Sequence, residues 1–307
     1  MNLMMTKAVA TNTLLLHFIV LIWGATGILG NEVELSSTQI VWWRVVLAVV
    51  ALSLYAIMRR KSLTVKAKDI KGFALSGFLI GIHWLCFFEA IKQLNISLPL
   101  AIMGSTAFFV SLLSPLLNKQ KLSRHDLLIS ALAFVGLSVV LGIEEPQIIP
   151  ALLAIAAAIL SAAFAILNGC LVHKHDALKI GFWELIFAGL TMSAFIFLEG
   201  GASVYFDFPK PRDLLLLAPL GIVCTAFAFV ASIGVMKTLS PYTCCLAIAM
   251  EPVYTISFAA YWYGEKEKLS IGFYIGACLI LLSLLLDAQL KQRETKMHEL
   301  GQRPRHD

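Results

Sequence analysis

The stretch IIPALLAIAAAILSAAFAILNGCLV, residues 148–172, runs for 25 residues without a charged side chain. As an α-helix rising about 1.5 Å per residue, it reaches past the roughly 30 Å of hydrocarbon in a bilayer. A helix is a form in which such a segment can cross lipid, because it pairs its backbone N–H and C=O groups internally. Glu144-Glu145-Pro146 precedes the stretch and His173-Lys174-His175-Asp176 follows it, so polar turns bound it on both sides.

The same alternation continues outward in both directions. Charged or turn-rich breaks predict ten spans, at residues 13–30, 38–58, 70–92, 96–117, 127–143, 148–172, 178–199, 214–236, 240–262 and 269–286. The fifth and tenth are short, and no connection is long enough for a soluble domain. Hydrophobic residues make up 59% of the 307 and charged residues 14%. Soluble domains carry about 45–50% and about 25%, so a water-soluble protein is excluded. Residues 13–30 lead into an acidic loop without a small-residue cleavage pattern, and they read as the first span rather than a cleaved leader.

Lys and Arg counted on alternate sides fix the expected orientation. The side holding both termini has 18, from Lys7 to the tail; the other has Lys92, Lys210, Arg212, Lys266 and Lys268, and Arg44 lies within a span. Both termini are expected in the cytoplasm, as in a bacterial inner-membrane protein. The net charge of +5 follows from this sorting. It needs no nucleic acid, and anionic membrane lipid is its simplest partner. The expected organisation is a cytoplasmic segment at 1–12, a five-helix repeat at 13–143, a second at 148–287 and a disordered tail at 288–307. The six cysteines all fall in apolar runs and read as small core residues.

An internal repeat supports the two halves. Trp42-Trp43-Arg44-Val45 corresponds to Phe182-Trp183-Glu184-Leu185, Lys92-Gln93-Leu94-Asn95 to Lys237-Thr238-Leu239-Ser240, and Lys121-Leu122-Ser123 to Lys268-Leu269-Ser270. Five helices is an odd number, so the repeats sit in the membrane in opposite orientations. Two inverted halves can exchange conformations and expose one central site alternately to each side.

Several segments resemble the drug/metabolite transporter superfamily, and within it the EamA-type ten-helix permeases. They are Leu21-Ile22-Trp23-Gly24-Ala25-Thr26, then Arg44-Val45-Val46-Leu47-Ala48, then Gly234 to Met250-Glu251-Pro252-Val253, Tyr263-Gly264-Glu265, Leu269 and Gly276. The first half departs from the pattern, with Asn118-Lys119-Gln120-Lys121 in place of Gly-Glu and Thr106-Ala107 in place of Glu-Pro. The resemblance implies an all-α membrane permease or exporter of amino acids, metabolites or drugs.

Ionisable groups in hydrocarbon are costly and are functional candidates by default. Glu251 lies about 16 Å into the ninth span, near the bilayer centre. Pro252 removes a backbone donor beside it and is expected to kink the helix. Glu251 is either a partner for a substrate ammonium or proton, or a buried structural carboxyl. Trp23, His83, Trp84 and Thr106 fall at similar depth, and Tyr254 and Phe258 follow Glu251 at helical spacing; together they could line a pocket for a small amphipathic or cationic solute.

Arg44 and Glu184 hold equivalent repeat positions near opposite faces. Glu89 is the expected partner of Arg44 and Lys237 that of Glu184, either as gates at the two mouths or as fixed structural pairs. No metal, cofactor or catalytic motif is present. His173-Lys174-His175-Asp176 lacks a third well-spaced ligand, and His125-Asp126 is weaker still. The leading expectation is a secondary transporter rather than an enzyme. An intramembrane lipid-modifying enzyme and a receptor on a transporter scaffold are the alternatives.

Overall fold

The computed structural model describes residues 2–94, 96–118, 124–144, 147–200, 208–252, 254–255, 258 and 271–299. These residues are helical with no strand: α1 (Asn2–Glu32), α2 (Ser37–Met58), α3 (Ala67–Gln93), α4 (Ser97–Met103), α5 (Thr106–Asn118), α6 (Arg124–Glu144), α7 (Ile148–Leu171), α8 (Ala177–Gly200), α9 (Pro211–Gly221), a π-helical turn (Ile222–Phe227), α10 (Ala228–Val235), α11 (Pro241–Ile248) and α12 (Ile271–Glu299). Seven stretches are long and apolar enough to cross a bilayer, namely Lys7–Glu32, Ser37–Met58, Ala67–Gln93, Leu98–Leu117, Ile148–Leu171, Ala177–Gly200 and Pro211–Val235, and they coincide with seven of the expected spans. The expected Tyr263-Gly264-Glu265 motif, Leu269, Lys119 to Ser123 and the end of the ninth span lie outside the described residues.

Helix ends follow local chemistry. Ser36 and Gln39 exchange side-chain bonds with each other's backbone N–H, a capping box that starts α2 sharply after the turn from α1. Ser240 caps α11 through the Thr243 N–H, with Pro241 at its first position. Of the expected tail, residues 288–299 continue α12 to Glu299, and residues 300–307 lie outside the described residues. Residues 288–299 contain neither Gly nor Pro and are rich in Ala, Gln, Leu, Lys, Arg, Glu and Met, all strong helix formers. Cys170 and Cys278 are exposed on the bundle surface and not in the core, whereas Cys224, Cys244 and Cys245 are buried.

α3 packs against both α7 and α8, α2 packs against α8 and α9, and α6 runs along α12. Two of these crossings are built alike. A Cβ on Gly77 of α3 would lie 2.7 Å from Phe187 Cβ and against the Glu184 carbonyl of α8. A Cβ on Gly221 at the end of α9 would lie 2.7 Å from Leu47 Cβ and 2.9 Å from the Arg44 carbonyl of α2. Arg44 and Glu184, and Leu47 and Phe187, are equivalent in the repeat, so each half uses one glycine to seat one helix against the same positions of the other half.

Two helices are broken at equivalent places. α4 stops at Met103 and α5 starts at Thr106, and α11 stops at Ile248 one turn before Glu251. Both breaks are bridged by i→i+3 bonds, Ser105 N–H to Ile102 O at 3.0 Å and Met250 N–H to Ala247 O at 3.0 Å. Pro252 cannot donate to Ile248 O, which accounts for the second break. At the first, the Ser105 and Thr106 hydroxyls donate to the Ile102 and Met103 carbonyls.

Candidate functional site

Between the halves lies a cavity of about 860 Å³, counting its open mouth. Its wall takes Trp23 and Thr26 from α1, Arg44 from α2, His83, Trp84 and Phe87 from α3, Phe164 and Asn168 from α7, Phe229 and Ser232 from α10, Cys244 and Cys245 from α11, and Glu251. It combines aromatic surface, one cation and one carboxylate.

Each charged or polar group is held by a specific local feature. The π-helical turn is stabilised by Thr225, whose hydroxyl donates to Leu220 O at 2.7 Å. The Thr225 hydroxyl oxygen in turn accepts Arg44 Nε at 2.9 Å, and the Cys224 carbonyl accepts Trp23 Nε1 at 3.0 Å. Irregular helix thus supplies acceptors that a regular turn would keep for itself, a recurring use of π segments near functional sites. The Arg44 guanidinium lies 4.2 Å from the Trp84 ring centroid and 5.4 Å from that of Phe88, a cation–π arrangement worth about 2 kcal/mol when desolvated. Arg44 is 2% exposed, and its Nη1 has no hydrogen-bond partner among the described residues.

Glu251 is brought beside α1 by Gly24 and Thr255. The Thr255 hydroxyl lies 2.8 Å from Gly24 O and 3.0 Å from Glu251 O, bonding across the crossing. A Cβ on Gly24 would stand 3.0 Å from Tyr254 Cβ. Glu251 and Arg44 face one cavity. Yet no ion pair joins them among the described residues. His83 Nδ1 donates to Ala157 O at 2.8 Å. A carbonyl can only accept, so Nδ1 carries a proton and Nε2 is the nitrogen left for other partners. Thr26 Oγ1 and Asn168 Oδ1, also on the wall, are buried without a partner among the described residues.

Of the residues singled out in the sequence, Trp23, His83, Trp84, Glu251 and Arg44 therefore meet at one cavity, and Pro252 adjoins it. Thr106, Tyr254 and Phe258 do not line it. Thr106 is buried with its hydroxyl committed to the Met103 carbonyl, and Met103 lines the wall instead. Tyr254 packs on Gly24, and Phe258 is 39% exposed on the bundle surface.

The two expected ion pairs are replaced. Arg44 turns toward Trp84, five residues or about 7.5 Å along the helix from Glu89, and Glu89 instead accepts Gln93 Nε2 at 2.6 Å. Glu184 is wholly buried on Asn168, whose Nδ2 donates to it at 3.3 Å, with Ser76 beside it. Lys237 is exposed next to His173 and His175. Asn168 and Thr26 were not foreseen; a lone amide in the otherwise apolar seventh helix was the available signal. His125 and Asp126 do gain a third group, Asp287 of α12, with one ligating atom of each lying within 4.8 Å of the others.

At the α1–α2 end of the bundle, ion pairs join the halves. Arg212 pairs with Glu32 at 2.8 Å and with Glu34 at 3.2 Å, and Lys210 pairs with Glu34 at 2.7 Å. Asp213 accepts the Glu34 N–H at 3.1 Å, and Lys92 donates to the Leu35 carbonyl. The Lys210 ammonium, with Arg212 behind it, holds the Glu34 carboxyl below its ordinary range.

A family model described as the EamA-like transporter family matches the chain twice, over residues 12–142 and 148–287. A solved structure described only as the crystal structure of a protein aligns over 92% of this chain and 98% of that chain, with a TM-score of 0.70 at 16% identity. That likeness shows the fold. No curated protein matches the chain in sequence.

Proposed function

The chain belongs to the EamA-like transporter family of the drug/metabolite transporter superfamily, and from that premise we propose that it is a secondary transporter, a permease or exporter, of small organic solutes such as amino acids or related metabolites. It has ten spans in two inverted five-helix repeats, at 13–143 and 148–287, with both termini on the cytoplasmic side of a bacterial inner membrane. The observation that carries the proposal is that Arg44 and Glu251 line one cavity without pairing. A guanidinium and a carboxyl that form no ion pair inside hydrocarbon are costly, and a solute bearing a carboxylate and an ammonium satisfies both. Arg44 Nη1 receives the carboxylate, Glu251 receives the ammonium, and Trp23, Trp84, Phe164 and Phe229 enclose the remainder.

Alternating access follows from the repeat. In the proposed orientation Leu16, Asn168, Met236 and Cys244 lie toward the cytoplasm, so the cavity reaches inward while the ion pairs of Glu32, Glu34, Lys210 and Arg212 close the outer rim. The breaks before Thr106 and Glu251 are the joints about which the halves exchange shape, and a proton on Glu251 is a candidate coupling ion. The test is flux into proteoliposomes for amino acids and organic cations, with and without a pH gradient. Glu251→Gln is expected to lower flux of the transported solute at least tenfold at unchanged melting temperature, because a charged hydrogen bond worth about 1.5–3 kcal/mol is lost. No flux of any solute by the wild-type protein would remove the proposal.

The outer rim gives a separate expectation. Exposed ion pairs contribute about 1 kcal/mol or less each. Arg212→Ala breaks two of them, and is expected to speed labelling of a cysteine at Thr26 from outside by about fivefold, in a background lacking the six native cysteines. Glu34 is held below its ordinary range, so its share of the closure is present above that range and disappears only as external pH falls through the lowered value. Labelling should stay slow in mildly acidic medium and quicken in high salt, which screens exposed pairs. Equal rates in wild type and Arg212→Ala would show that the rim is closed by packing alone.

A further inference from the structure

At the opposite end of the bundle the two halves build a second, shallow concavity, of about 720 Å³ counting the open solvent before it, with Lys66, Lys68 and Asp69 from one half and Lys174, His175 and Lys179 from the other. Among the described residues the only acid on this wall is drawn aside, since Asp69 lies 3.8 Å from His175 Nε2. No ion pair holds Lys66, Lys68, Lys174 or Lys179 among the described residues. A neighbouring hollow shares Lys174 and His175 and adds His173, Lys237 and one acid, Asp176.

Positive-inside sorting explains why lysines lie at this end of the bundle. It does not explain why lysines more than a hundred residues apart in sequence converge on one hollow, where like charges repel. The geometry there is also held. Trp183 Nε1 donates to Leu63 O at 2.8 Å and Lys179 Nζ to Thr64 O at 3.3 Å, clamping the α2–α3 connection of one half onto α8 of the other. Six residues before Thr64, α2 ends in side chains that face lipid, with Ile57 73% and Met58 78% exposed. A concentrated cationic hollow therefore opens beside the hydrocarbon-facing surface.

We propose that this hollow binds the phosphate-bearing headgroup of one anionic phospholipid of the cytoplasmic leaflet, with its acyl chains along the end of α2. The proposal rests on the orientation given above. The lysines take the phosphate from both sides, as basic pockets between membrane helices do for anionic headgroups. Because they come from both halves, the lipid fastens the cytoplasmic ends together and makes the inward mouth sensitive to membrane composition.

Native mass spectrometry of the full-length purified protein tests this independently of flux, so its failure would leave the transport proposal standing. With phosphatidylglycerol as probe, the wild-type protein should retain one lipid, and phosphatidylcholine should not substitute. Each lysine contributes about fivefold near a charged surface, so Lys66→Gln and Lys174→Gln should each weaken retention by about that factor. The triple variant Lys66→Gln, Lys68→Gln, Lys174→Gln should weaken it about a hundredfold. Arg59→Gln, Arg60→Gln, Lys61→Gln removes the same charge from the adjacent turn and should leave retention near wild type. Equal weakening by the two triple variants would overturn the site in favour of diffuse attraction. Equal retention of phosphatidylcholine would overturn it as well. Full displacement of phosphatidylglycerol by millimolar inorganic phosphate would assign the hollow to a soluble anion instead.

Discussion

Arg44→Ala is expected to lower affinity for a carboxylate-bearing solute by about 10- to 100-fold, the value of one hydrogen bond to a charged group at about 1.5–3 kcal/mol. Binding of the same solute with its carboxyl converted to an amide should change little. The asymmetry follows from geometry, since Nε is committed to Thr225 while Nη1 has no partner among the described residues. Arg44→Lys keeps the charge, but an ammonium cannot donate from two nitrogens of a planar fork while lying over Trp84, so this variant should fall between wild type and alanine. Quenching of tryptophan fluorescence reports occupancy directly, because Trp84 and Trp23 share the wall. If Arg44→Ala weakened acid and amide alike, the guanidinium would be a packing element. If it weakened neither, Arg44 would lie off the binding path.

The second large effect is structural. Gly77→Leu and Gly221→Leu are each expected to abolish folded protein, and the two alanine variants to lower stability by about 1–3 kcal/mol or more, as overpacking of a filled interface does. At both positions the obstructing atoms are the Cβ and backbone carbonyl of the facing helix, which cannot swing aside. Gly234→Ala is the control, since its Cβ would meet nothing nearer than Ala177 Cβ at 3.9 Å. Thermal unfolding of the detergent-purified variants should give similar losses at Gly77 and Gly221. A large loss at one and none at the other would mean that the two crossings are not energetically equivalent.

Seven of the expected spans were legible because lipid imposes one rule on every stretch, and a run such as residues 148–172 satisfies it without help from neighbours. Glu251, Trp23, His83 and Trp84 were legible as neighbours because depth along a helix can be counted. Arg44 was misplaced for a related reason: counting locates a Cα, whereas its long side chain carries the charge back to Trp84. Tyr254 and Phe258 stand off the cavity wall, because helical spacing says which side chains share a face, not which neighbour that face meets. Here α1 covers Tyr254 at Gly24. The role of Thr106 in closing a helix break depends on the Met103 carbonyl, a relation absent from hydropathy. Asn168 stayed hidden in a run whose remaining residues explain themselves as membrane span.

The paired glycine crossings place Arg44 and Glu184 at matching stations, yet only Arg44 faces the cavity, and the two side chains have opposite charge. A five-helix unit assembling with a second copy of itself would repeat either the guanidinium or the carboxyl at both stations. It would thereby double one uncompensated charge in hydrocarbon and forfeit the dipolar character of the chamber. Carrying both halves on one polypeptide frees the stations to differ: the halves keep the same skeleton while their chemistry separates, and on the proposed function a solute with a head and a tail would meet a chamber that can tell its ends apart.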